Sequence, residues 1–285
     1  MSEDDAVAYL EAVGRQPDAA IDLGEAALRL ASLGRPQVPL DRYREHLAAL
    51  AADVAAAAGG TAAGGEGDAP AAQLERQADA LRGALAGKNG YRGDRLTYDD
   101  LQNANLMRVI DRRRGLPVAL GILYIHAARA QGWTMDGLGF PGHFLVRLET
   151  AGGRLILDPF NDGAAVDAGA LREMLKGTAG PQAELQPEHH APVANRQVLL
   201  RLHNNLKSRL IQSDRIAEAV AVIEQMQLFA PDDVSLWRES GLCHAQLGNL
   251  GAAIAALDAF VARCTSDRQR HEAAGLIVQL RRRLN

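Results

Sequence analysis

The sequence predicts an α+β domain followed by an all-α helical repeat, and three observations carry that prediction. A helix-length run from Pro117 to Gln131 is apolar on nearly every side, which marks a buried central helix. Two β signals follow it, Phe144–Leu148 and Leu155–Leu157, separated by Glu149 to Arg154 with the turn pair Gly152–Gly153. Beyond Arg196 no strand signal occurs, and small residues recur instead at a spacing of 34, at Ala219 and Ala253.

The elements read in order as follows. Asp22 to Leu33 is a helix closed by Gly34, and Pro36 and Pro39 break the chain after it. Leu40 to Ala57 places Tyr43, Leu47, Leu50 and Val54 at three- and four-residue intervals, the stripe of an amphipathic helix. Residues 59–70 lack periodicity and are rich in glycine and alanine, so they read as a flexible loop. A helix over about Ala72 to Leu85 and a loop over Gly87 to Asp94 come next. Pro117 suits the first turn of the central helix, where its missing N–H costs nothing, and Gly132 ends that helix. Met135 to Phe140 is a candidate third strand. In the repeat, Pro231 lies twelve residues after Ala219, and Trp237 and Gly241 precede Ala253 by sixteen and twelve. That is the tetratricopeptide pattern, in which small residues let two helices cross closely, although His203 and Lys207 occupy the Trp and Gly positions of the first copy. The turn Leu247–Gly248–Asn249 joins the paired helices, and a last helix from about Arg268 to Arg283 caps the array. The domains are accordingly 1–98, the helical N-terminal part of the first domain; 99–190, its core; and 195–285, the repeats.

Composition narrows the functional classes. With 47% hydrophobic and 23% charged residues the chain is globular, and a net charge of −4 gives no broad cationic field for nucleic acid. The acidic start, MSEDDAVAYL, does not read as a secretory signal, and no run approaches the roughly 18 apolar residues of a membrane span. A cytoplasmic protein is expected, without nucleic-acid or membrane partners. Cys243 and Cys264 form neither a disulfide framework nor a metal knuckle, and His189–His190 has no further ligand at metal spacing, so no metal or other cofactor is expected.

Two groups of residues remain as candidates for binding or chemistry. The run Arg112–Arg113–Arg114 either cradles an anion, with Arg113 as the candidate binding residue, or pairs with acids such as Asp99, Asp100 and Asp111; the paired reading is preferred. The second group is Pro117, His143 and Asp158: His143 begins the first hairpin strand and Asp158 ends the next, so antiparallel pairing brings carboxylate and imidazole together. Such a dyad needs a nucleophile beside the histidine, best at a helix start. Tyr124, on the Pro117 face two turns along, is read as core.

Several motifs here resemble one family. Asn103–Ala–Asn105–Leu–Met–Arg–Val–Ile–Asp–Arg–Arg–Arg–Gly–Leu–Pro–Val–Ala–Leu, then Pro141–Gly–His–Phe–Leu–Val–Arg–Leu, then Leu157–Asp–Pro–Phe–Asn, are similar to the SirB-type proteins, which join a transglutaminase-like domain to C-terminal tetratricopeptide repeats. The resemblance implies a cysteine-protease-like core over 99–190, with a small antiparallel sheet against the central helix. In that superfamily the triad is a Cys at the helix start, a His and an Asp. His143 and Asp158 match the latter two, and the cysteine position falls at about Pro117 or Val118, neither of which is a nucleophile. The expectation is therefore a non-catalytic interaction or regulatory protein, with a protein or peptide bound through the cleft and the repeats, where Trp237 is a candidate binding residue. The alternative is an amide or ester hydrolase, or an acyltransferase, that uses the His143–Asp158 dyad without a cysteine.

Overall fold

In the computed structural model, residues 3–59, 70–151 and 153–284 are described. The loop read at 59–70 falls almost wholly outside them, as does Gly152 of the hairpin turn. Helix α1 (Glu3–Arg15) opens the chain. Asp22 caps α2 (Leu23–Leu33) by accepting from the Glu25 amide at 3.0 Å, and α3 (Asp41–Ala57) buries the stripe Tyr43, Leu47, Leu50 and Val54. Helix α4 (Pro70–Arg82) runs into a π-helical turn over Gly83–Lys88. A two-residue strand β1 (Arg92–Gly93) follows, inside what the sequence presents as loop.

Asn105 caps α5 (Leu106–Arg112), and Arg113, at φ +57°, ends it in the left-handed region. Its continuation β2 (Arg114–Gly115) pairs in parallel with β1, Arg92 opposite Arg114. Helix α6 (Pro117–Arg129) starts on its proline and is buried at every position except His126 and Arg129. At roughly 1.5–3 kcal/mol per large apolar side chain removed from water, burial of this helix contributes strongly to the cohesion of the domain.

The sheet is β3 (Thr134–Gly137), β4 (Val146–Thr150), β5 (Gly153–Asp158) and β6 (Ala164–Ala165), in that spatial order and antiparallel throughout. Two strand expectations need correction. Strand β3 stops at Gly137, because the backbone beyond it bridges Ala191 and Pro192. His143 stands in the turn ahead of β4, after Gly142 at φ +72°, rather than inside a strand. Helix α7 (Ala168–Ala179), capped by Asp167, completes this part and closes a small cluster of Leu138, Phe140, Leu145, Leu171 and Leu175.

The rest is helical: α8 (Asn195–Gln212), α9 (Ile216–Phe229), α10 (Val234–Gln246), α11 (Leu250–Arg263) and α12 (Asp267–Leu284). Gly241 permits the crossing of α10 and α11, since a Cβ there would lie 2.6 Å from Leu257 Cγ and 3.3 Å from the Ala253 carbonyl oxygen. Gly248, at φ +76°, makes the turn between them. Two compact units result, one built on Pro17–Leu199 and one on Leu200 onward. Val7–Gln16 joins the second unit, which departs from the reading of 1–98 as part of the first domain. The reason is local: Gly14 is seated against the Leu228 carbonyl and Pro231, where a side chain would collide.

Candidate functional site

Asp158 closes β5 and caps the 3₁₀ turn Pro159–Asn161 by accepting from the Phe160 amide at 3.0 Å and the Asn161 amide at 3.3 Å. Its other oxygen accepts from the Asn161 side chain. The turn therefore fixes the carboxylate independently of His143. His143 Nε2 donates to Asp158 Oδ1 at 2.9 Å, and the imidazole meets the Phe160 ring edge-on at 6.0 Å between centroids. The Asp158 side chain is 3% exposed and that of His143 18%, so the imidazole fronts the carboxylate on the solvent side. Burial pushes the Asp158 carboxyl up, but the hydrogen bond and charge of His143, with Asn161 and the Phe160 amide, outweigh it and hold the group below the usual carboxylate range.

The imidazole is placed by its neighbour. The Phe144 ring occupies the space left by two glycines, Gly121 of α6 and Gly137 of β3; a Cβ on Gly137 would lie 2.5 Å from the ring, and one on Gly121 would overlap it. Gly121 is one turn beyond Pro117, and the turn carrying Asp158 rests on the same helix. Pro117 and Val118 are buried at the start of α6. Tyr124 is 1% exposed, and its buried hydroxyl has no hydrogen-bond partner among the described residues; burial, with the nearby Asp162, raises its pKa well above the ordinary phenol value.

Arg113 is half-buried and engaged by neutral groups of α3 and of the segment before β1. Its guanidinium donates to the Tyr91 hydroxyl and His46 and lies 4.8 Å from the centre of the Tyr91 ring. Burial and that cation push the His46 imidazole down to about 4. Arg112 donates to Asp94 at 2.8 Å and Asn103 at 2.9 Å, and Asp111 takes Arg35 at 2.8 Å instead of its sequence neighbours. Trp237 belongs to the second unit's packing: its indole donates to the Pro231 carbonyl at 3.1 Å and stacks under Arg263 at 4.6 Å. Among the described residues no cluster of three or more His, Cys, Asp or Glu side chains could hold a metal. Sequence reading missed the parts of Asn161, Phe160 and Asp94, although Asp–Pro–Phe–Asn is a recognisable capping signal for the first two.

A family model described as transglutaminase-like superfamily matches residues 41–204, and a tetratricopeptide-repeat model matches 206–277. The protein SirB1 of Salmonella typhimurium is 30% identical over 194 residues, covering 68% of this chain and 72% of the relative. The chain belongs to the SirB family of transglutaminase-like proteins. Other members similar to it are called UPF0162 proteins: one from Xylella fastidiosa is 36% identical over 173 residues, 59% of this chain and 60% of the relative, and one from Vibrio cholerae is 36% identical over 179 residues, 62% and 66%. The matched region thus spans about three fifths of the Xylella protein's length. The His143–Asp158 pair lies within the stretch matched by the superfamily model, and Trp237 within the stretch matched by the repeat model.

Proposed function

We propose that this SirB-family chain is a non-catalytic cytoplasmic interaction or regulatory protein, which uses the transglutaminase-like cleft and the repeats to hold a protein or peptide. The observation that carries this reading is the composition of the dyad's surroundings. The superfamily's chemistry needs a thiol at the start of the central helix, and that start reads Leu116–Pro117–Val118–Ala119. The two cysteines are buried in the repeat unit. In this reading Pro117 or Val118 marks the lost nucleophile, and His143 and Asp158 form a vestigial pair that pins the turn ahead of β4 to the turn after β5. A satisfied buried carboxylate is reason enough to retain such a pair. Tetratricopeptide repeats supply the general expectation of a protein partner.

A broad panel of amide and ester probes, presented to the purified full-length chain, tests this directly. No turnover above that of the His143→Ala variant is expected. Turnover that survives thiol alkylation and disappears in His143→Ala would instead make His143 a general base held in its tautomer by Asp158.

A further inference from the structure

The run Arg112–Arg113–Arg114 is offered by the sequence either as an anion cradle or as a salt-bridged turn, and the fold divides it. Arg112 takes the buried Asp94 at 2.8 Å, as a salt-bridged turn requires. Arg113 does not follow it. At φ +57° it holds the left-handed position after α5 where glycine is the usual occupant, and that backbone carries its guanidinium to the Tyr91 hydroxyl and His46. Both partners are neutral at pH 7, and no carboxylate accompanies this half-buried cation among the described residues. A charge withdrawn from water without a counter-ion is costly.

Two more arginines share the same short ladder. Arg92 stands opposite Arg114 across β1 and β2, and the Arg92 amide donates to the Arg113 carbonyl at 3.1 Å. Arg92 and Arg114 are exposed, and neither has an ion-pair partner among the described residues. Like charges directly opposite in a ladder repel. Side chains alternate along a strand, so these two project from the face opposite to Gly93 and Gly115. The glycine face is the inner one: a Cβ on Gly93 would lie 2.5 Å from the Phe160 ring, and one on Gly115 2.9 Å from Val109. The segment carrying Asp99 and Asp100 packs on that inner face, with the Tyr98 ring 5.7 Å from Phe160 and the Asn103 carbonyl 3.4 Å from the place of a Gly115 Cβ. Acids of the flanking helices are engaged elsewhere. Asp111 takes Arg35 at 2.8 Å and Arg42 at 3.1 Å, and Asp53 takes Lys88 at 2.7 Å and Asn89 at 2.8 Å. Glu45 makes no ion pair among the described residues, and it stands about 100° round α3 from His46.

We propose that Arg92 and Arg114, with Arg113 at their edge, form an anion site on the outer face of the β1–β2 ladder for the phosphate or diphosphate group of a small ligand. Guanidinium forks match phosphoryl oxygens with paired hydrogen bonds. A single carboxylate would leave two of the three charges unbalanced, whereas a diphosphate balances them. Strand pairing already holds two of the forks side by side, which reduces the ordering lost on binding. The site faces away from the dyad and does not depend on the protein-binding reading.

A phosphorus NMR titration of inorganic diphosphate, and separately of inorganic phosphate, with the full-length chain at about 0.15 M salt tests the site. Saturable binding is expected, about tenfold tighter for diphosphate. Arg92→Gln with Arg114→Gln should weaken diphosphate binding by about tenfold with unchanged thermal unfolding, because both side chains are exposed. Arg282→Gln with Arg283→Gln removes the same charge from the end of α12 and should leave binding unchanged. Arg113→Lys keeps the charge and loses the fork, and should also weaken binding; wild-type affinity in it would remove Arg113 from the site. Glycerol phosphate beside inorganic phosphate distinguishes the sources: equal or tighter binding of the ester supports an organic phosphate, and binding of the inorganic anion alone supports free phosphate. Absence of saturation, wild-type affinity in the Arg92 and Arg114 variant, or equal weakening in both double variants would each overturn the site. A short oligothymidylate that binds more tightly than diphosphate would overturn its assignment to a small ligand.

Discussion

At the scale of single residues, the dyad and the repeat histidine are opposite uses of one side chain. His143 is satisfied by a carboxylate, whereas His203 is 3% exposed, its Nδ1 without a partner among the described residues, and is set edge-on to Phe229 at 5.9 Å. Burial pushes the His203 imidazole down to about 4, a hydrogen bond with Gln225 opposing it only in part. Its folded pKa is thus below the unfolded value near 6.5, and between those values the unfolded chain binds the proton that the folded chain refuses. Stability of the repeat unit from this group is therefore full above about pH 6.5 and lost progressively as the pH falls toward 4. Denaturant unfolding followed by Trp237 fluorescence in a Trp133→Phe background, from pH 7.5 to 4, should show that decline. His203→Phe, which keeps an aromatic ring and removes the titration, should flatten it; an equal slope in the variant would remove His203 as the source. The Asp158 carboxyl adds a loss of the same sign in the first unit at lower pH, since its pKa lies below the ordinary value.

At the scale of elements, the repeat spacing carries its own internal comparison. Position 241 plus one repeat is Gly275, on α12. Gly241 is crossed by α11, whereas a Cβ on Gly275 meets nothing within 4 Å. One substitution type should then act in opposite directions at equivalent positions. Gly241→Ala drives a methyl into Leu257 and should destabilise the repeat unit by about 1–3 kcal/mol. Gly275→Ala should stabilise it by about 0.5–1 kcal/mol through helix propensity alone. Urea unfolding of both variants checks this, and destabilisation by Gly275→Ala would show that the open face of α12 is in fact covered. This contrast also shows what the sequence makes legible. Helices α2, α3, α4, α6 and α10–α12 announce themselves by periodicity and punctuation, because amphipathic or buried helices repeat their signal over several turns. Strands β1, β2 and β6 have two residues each and contain no period to read. His143 and Asp158 could be paired from hairpin logic, but the partners of Arg112 and Arg113 could not. Asp94, Tyr91 and His46 reach them through the β1–β2 pairing and through α3, contacts that no local pattern encodes.

At the scale of the whole molecule, the chain order and the unit order differ, and the difference has a mechanical consequence. The superfamily match begins at residue 41 and the repeat match ends at 277, so neither family signal includes α1. Yet Val7–Gln16 belongs to the repeat unit, with Gly14 fitted against the Leu228 carbonyl and Pro231 at the end of α9. A short repeat array stacks few neighbours and gains from any helix that covers an open end. The first turns of the chain are therefore part of the stability of its last hundred residues. Gly14→Leu, which forces a side chain into that backbone contact, should lower the stability of the repeat unit by about 1–3 kcal/mol. Hydrogen exchange resolved by mass spectrometry on the full-length variant is the appropriate readout, because it reports each unit separately. Amides of α9 and α10 should exchange faster, while those of α6 and β4 keep their protection. Uniform loss of protection in both units would mean that the chain unfolds as one cooperative body, and unchanged exchange in α9 would mean that α1 does not brace the repeats.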